Sequence, residues 1–285
     1  MSAPGQEPRY YRPSGKVPAA GLLLVLAGGT AGSIPLALAY AAACRYSVSW
    51  AKDLGVSFNP ILAAALAMLV GLGVAGLCRL GRVRNDRFSA AAALLLGAVT
   101  LYAAWVWFAW LHGGRRAFAL APGDLLKAAR RIAGEVPWAL PADPAGLPRW
   151  GYYAVWAAEG LLFLLVPPIF ALVSRVPFCE RCGEWMERHN DAARLEPVAP
   201  ELLRKMLEEG LYEGVNLLER RRSGSGDYIS ITLFSCRAGC ERCYLTAWYE
   251  SAGEKGREAS RLILANIAIP RRLAEALQGP APKEE

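Results

Sequence analysis

Four long apolar stretches constrain this chain more than anything else in it: Val17 to about Cys44, Pro60 to about Leu80, Ser89 to Leu111 and Gly151 to Val173. The hydrocarbon core of a bilayer is about 30 Å thick, and a helix rising about 1.5 Å per residue crosses it in about 20 residues. Backbone amides in lipid must find partners within their own segment, so each stretch is expected to be a transmembrane helix. The first stretch is far longer than the roughly 7 to 15 apolar residues of a signal peptide, which assigns it to the bundle. With 54% hydrophobic and 20% charged residues among 285, the chain is too apolar for a soluble domain of its length.

The charges divide along the same line. Residues 1–174 carry 15 Lys and Arg against 7 Asp and Glu, whereas residues 175–285 carry 17 against 18. The basic excess therefore belongs to the membrane half, where it meets lipid headgroups, and no nucleic-acid partner is expected. Arg79, Arg82, Arg84 and Arg87 crowd the short loop between the second and third spans, which the positive-inside rule places in the cytoplasm with both termini. The loop from His112 to Arg149 also carries six Lys and Arg and pulls against this orientation, although the rule is counted over short loops. Residues 1–16 are polar with three prolines and are expected to be a disordered cytoplasmic tail.

Within the membrane domain, 17–174, several features refine a four-helix bundle. Gly28 and Gly32 in the first span and Gly71, Gly73 and Gly76 in the second offer small surfaces for a packing seam between those two helices. Trp105, Trp107 and Trp110 close the third span, and Trp150, Tyr152, Tyr153 and Trp156 open the fourth, as an interfacial aromatic belt would. Residues 124–136 predict an amphipathic helix with Leu125, Leu126, Ala129, Ile132, Ala133 and Val136 on one face. It is expected to lie on the outer membrane surface, with a lid over the bundle as the alternative. Glu159 lies in the fourth span, where an ionisable group is costly and is a candidate polar site unless it pairs with Arg149, Arg115 or Arg116. Pro167 and Pro168 are expected to bend that helix and leave carbonyls free inside the bundle.

Residues 175–285 have the composition of a soluble α+β domain. PELLRKMLEE at 200–209 predicts a helix with proline at its start and Gly210 as its stop. Tyr228–Phe234, Cys243–Tyr249 and Leu262–Ile269 predict strands of an antiparallel sheet, and 270–277 a last short helix. Five of the seven cysteines fall here. Cys179-x2-Cys182 and Cys240-x2-Cys243 supply four thiolates on two tight turns, with Gly183 and Gly239 adjoining them, a ligand set that suits tetrahedral Zn2+. Cys236 forms C-x3-C with Cys240 and is an alternative ligand or a buried strand cysteine. His189 is a weaker candidate, and Cys44 and Cys78 read as small hydrophobes within apolar spans. Four cysteines leave no open coordination position, so the zinc is expected to be structural and the domain zinc-ribbon-like.

GGTAGSIPLALAY, the GRVRND loop, APGDLLKAARRIAGEVPW, and YYAVWAAEGLLF followed by PFCERCGEW together resemble a group of bacterial multi-pass membrane proteins of unassigned activity, over residues 20–186. The resemblance implies a bacterial inner-membrane setting and transfers no functional residue. No catalytic motif is evident, and the residues favour a membrane-anchored zinc module that contacts a protein partner or a second copy of itself. Two other readings stay open: a transporter or channel component using Glu159, and a membrane thiol oxidoreductase using the CxxC pairs, which would require the cysteines outside the cytoplasm.

Overall fold

The computed structural model describes residues 10–54, 59–113, 118–135, 149–173, 176–220, 226–252 and 258–279. The chain divides into two compact units, Gly15–Arg175 and a second made of Met1–Ser14 with Val176–Glu285.

Among the described residues of the first unit, four helices are long and apolar enough to cross a membrane: Ala19–Tyr46, Asn59–Leu80, Asp86–His112 and Trp150–Leu172. The first begins as α1 (Ala19–Leu23), passes through one π-helical turn (Leu24–Gly28) and continues as α2 (Gly29–Leu54). Helix α3 (Asn59–Leu80) is joined by a tight turn to α4 (Asp86–His112). In that turn Val83 N–H donates to the Cys78 carbonyl at 2.8 Å, and the Asn85 side chain caps α4 by accepting from Phe88 N–H at 2.9 Å. The segment expected to end a disordered tail is ordered beside it. Arg84 N–H donates to the Lys16 carbonyl at 2.9 Å, and the Asn85 amide donates to the Gly15 carbonyl at 3.0 Å.

Helix α6 (Arg149–Val173) packs along both α3 and α4, and α2 packs along α4. This changes the expected glycine seam. The seam between the first two spans holds at Gly28, where a Cβ would meet Leu77 of α3 at 3.6 Å, but one on Gly32, Gly73 or Gly76 would meet nothing within 4 Å, whereas one on Gly71 would lie 2.7 Å from the Pro167 carbonyl oxygen and one on Gly97 only 2.1 Å from that of Phe163. At Gly97 the cause lies in the double proline. Pro167 has no N–H to give the Phe163 carbonyl four residues earlier, so that oxygen is free to face a neighbour. A bare glycine Cα on α4 fits against it, and a Cα–H···O contact becomes available.

Helix α5 (Pro122–Glu135) lies against α4 and α6, with Leu125 packed on Val106 and Ala109. Ile132 and Ala133 are buried as the pattern predicted, but Leu126 is 51% exposed, so the apolar face is narrower than expected. Val136 lies outside the described residues. The two aromatic groups meet: Trp105 of α4 and Trp156 of α6 stack edge to face with centroids 4.8 Å apart.

The second unit is a four-stranded antiparallel sheet in the order β3-β4-β5-β6, with a separate hairpin of β1 and β2. The hairpin is β1 (Phe178–Cys179) and β2 (Glu184–Trp185), and the sheet strands are β3 (Glu187–Leu195), β4 (Tyr228–Ser235), β5 (Arg242–Ala252) and β6 (Glu258–Pro270). Helices α7 (Pro200–Glu209), α8 (Tyr212–Asn216) and α9 (Arg271–Gln278) complete it. Gly210 adopts φ 78 at the end of α7, the left-handed stop its position predicted.

Strand alternation sorts the side chains. Ile229, Ile231 and Leu233 of β4 and Leu245 and Ala247 of β5 join Leu203, Leu207, Leu273 and Leu277 from the helices in the main core. Phe234 and Tyr244 point the other way, towards the cysteines. Strand β3 was not anticipated. Its sequence, ERHNDAARL, is polar, and a bulge between His189 and Ala193 interrupts its pairing with β4. Asp191 sits in that bulge at φ 48 and accepts from the Ser230 hydroxyl at 2.7 Å. The N-terminal segment also belongs to this unit: Tyr10 bridges Ile267, and Tyr11 N–H donates to the Asn266 carbonyl at 2.8 Å.

Candidate metal centre

Two loops of like geometry build the cysteine cluster. The first is the β1–β2 hairpin, held by Gly183 N–H donating to the Cys179 carbonyl at 2.9 Å, with Gly183 at φ 69. Phe178 and Trp185 pair across it edge to face at 5.0 Å. The second loop joins β4 to β5, where Gly239 at φ 74 donates its N–H to the Cys236 carbonyl at 3.0 Å. Both glycines hold left-handed backbone that a side chain would strain. In each loop backbone amides also reach the first sulfur: those of Arg181 and Cys182 at Cys179, and that of Ala238 at Cys236.

The Sγ atoms of Cys179, Cys182, Cys236 and Cys240 all lie within 4.8 Å of one another. The separation of Cys179 and Cys240 is 3.8 Å and that of Cys182 and Cys240 is 3.1 Å, and none of the four is in a disulfide. Four sulfurs at about 2.3 Å from one tetrahedral ion would stand about 3.8 Å apart, so the cluster is close enough to hold a metal ion. Met186, Phe234 and Tyr244 are buried against it.

The grouping corrects the expected set at one position. Cys236 is the fourth member and Cys243 is not. The reason is strand parity. Cys243 is the second residue of β5, in phase with Leu245 and Ala247, so its side chain enters the main core at 2% exposure, while Tyr244 faces the cluster. Cys236 follows the last residue of β4 and Cys240 precedes β5, so both sit in the turn, free of that alternation. The pattern was present in the sequence as CYLTAWY, where Cys243, Leu245 and Ala247 share one phase. His189 does not join the cluster; its ring Nε2 is 2.9 Å from the Ser235 hydroxyl oxygen.

Close packing of four thiols opposes their joint ionisation. Hydrogen bonds with Cys240 and then Cys236 push the Cys182 thiol above its ordinary range, and burial does the same at Cys179. At Cys236 burial also opposes ionisation, but hydrogen bonds from Cys182 and the Ala238 amide outweigh it and hold that thiol below its usual value. A cation at the centre of the cluster would favour loss of the protons from the sulfurs.

The other expected polar site, Glu159, lies in α6 with its Oε1 atom buried and without a hydrogen-bond partner among the described residues. Tyr40 of α2 lines the same cavity as Glu159. Arg115, Arg116 and the side chain of Arg149, named above as possible partners, lie outside the described residues.

No protein-family model, curated protein or solved structure matches the chain.

Proposed function

We propose that the protein is a bacterial inner-membrane protein whose C-terminal unit is a zinc-bound module for protein–protein contact, with both termini in the cytoplasm. The observation that carries this reading is the convergence of four thiols from two glycine-supported loops. An all-sulfur donor set favours Zn2+ over harder cations, and four protein ligands would fill the tetrahedral sites, leaving no position for substrate or water. The metal's role is then structural, clamping the β1–β2 hairpin to the β4–β5 turn. A reducing cytoplasm would keep the thiols available for the ion.

Elemental analysis of the purified full-length chain tests the reading. It predicts close to one zinc per chain, and loss of sheet circular dichroism and protease resistance on treatment with a strong chelator. Zinc-free protein whose C-terminal unit keeps the same protease resistance would overturn it.

A further inference from the structure

The bundle contains a second cluster of chemistry-bearing side chains, independent of the cysteine module. A cavity of about 30 Å3 lies among α2, α3, α4 and α6. Glu159, Tyr40, Asn59 and Cys44 line it with polar atoms, and Trp105, Phe108 and Trp156 line it with aromatic rings. Tyr40 and Cys44 of α2 thus share this lining with Glu159 of α6. Asn59 is only 5% exposed, and Glu159 Oε1 is buried without a partner among the described residues. The volume has room for about two water-sized groups.

We propose that this cavity binds a primary ammonium group, with Glu159 as its counter-ion and the aromatic rings as its walls. A buried carboxyl oxygen without a partner among the described residues is costly wherever it is charged, and a bound cation offsets that cost as protonation otherwise would. The lining chooses among cations. An alkali or alkaline-earth ion needs about six oxygen ligands, and Glu159, Tyr40 and Asn59 are the oxygen-bearing side chains lining the cavity. An R–NH3+ group needs three acceptors and gains further from indole and phenyl faces. The cavity has room for ammonium or methylammonium, and tetramethylammonium lacks an N–H to give Glu159. The same chemistry is offered by a free small amine and by the headgroup of phosphatidylethanolamine.

Equilibrium dialysis of the full-length chain in detergent, with radiolabelled methylammonium in sodium buffer free of amines, tests the proposal. The expected result is saturable binding of one methylammonium per chain, weakened at least tenfold in Glu159→Gln and not displaced by tetramethylammonium. Extraction of bound lipid separates the sources. Binding to protein as purified indicates a free amine. Binding only after delipidation, with phosphatidylethanolamine retained by the native chain and depleted in Glu159→Gln, indicates the headgroup. Trp156→Leu keeps the carboxylate but removes an aromatic wall, and it is expected to weaken binding severalfold even if Glu159→Gln folds poorly. Absence of Glu159-dependent binding in both arms, unchanged binding in Trp156→Leu, or equal displacement by potassium would overturn the proposal.

Discussion

In the membrane unit close backbone approaches fall where side chains are missing: Gly97 meets the Phe163 carbonyl, Gly21 that of Gly81 and Gly71 that of Pro167. In the sheet unit the core is built of side chains, from Leu195, Ile229 and Leu245 to Leu273 and Leu277, all at 2% exposure or less. Solvent explains the contrast. Helices in lipid gain little from burying leucine on leucine, so contact depends on backbone proximity and van der Waals fit. The sheet unit carries the composition of a soluble domain, so burial of apolar surface drives its packing. The cysteine cluster lies outside the main core and adds a local restraint on two loops that hold few apolar residues of their own.

The largest expected effect sharpens this contrast inside the sheet unit. Replacing Cys236 by serine removes one thiolate from the cluster and is expected to abolish stoichiometric metal binding and destabilise the unit by several kcal/mol. Cys243→Ser places a hydroxyl in the main core instead, with an expected cost of about 1 to 3 kcal/mol and the metal retained. Metal content and denaturant unfolding of the two variants distinguish them. The reverse pattern would restore Cys243 to the ligand set and refute the parity argument.

Next in size is a test of the glycine contacts. Gly97→Ala forces α4 and α6 apart and is expected to cost about 1 to 3 kcal/mol in detergent unfolding, as overpacking does. Gly73→Ala faces open space and is expected to be neutral or stabilising by up to about 1 kcal/mol through helix propensity. Equal behaviour of the two would remove the freed Phe163 carbonyl from the account. Asn85→Ala, which loses the cap on α4, is expected to cost about 1 kcal/mol in the same assay.

The smallest effect concerns the bulge in β3. Ser230 and then Arg194 hold the Asp191 carboxyl below its ordinary value. Because the folded value is depressed, the contribution is present above the unfolded value near pH 4 and is lost as pH falls through the lower folded value. The group is half exposed, so the effect is expected to be about a few tenths of a kcal/mol. Asp191→Asn should flatten this small acid slope in a pH series of unfolding midpoints.

Much of this architecture was legible in the residues. The four spans follow from length and apolarity, and α7 from its periodicity between Pro200 and Gly210. Strands β4 to β6 follow from alternation, although β6 starts at Glu258 and runs well before Leu262. Strand β3 was not legible, because a polar strand broken at Asp191 shows neither alternation nor an apolar run. The helix pairings were not legible either. Glycine spacing marks small surfaces but does not say which neighbour uses them, and here that depends on a carbonyl freed by Pro167. The fourth thiol was half legible: matching CxxC spacing favoured Cys243, while the parity of β5 placed it in the core and left Cys236 for the cluster.

The central claim is that Cys179, Cys182, Cys236 and Cys240 together enclose one zinc ion. X-ray absorption at the zinc edge of the purified full-length protein addresses it most directly. Four sulfur neighbours at about 2.3 Å and no nitrogen or oxygen in the first coordination sphere are expected. A shell containing nitrogen or oxygen, or protein without zinc, would contradict it.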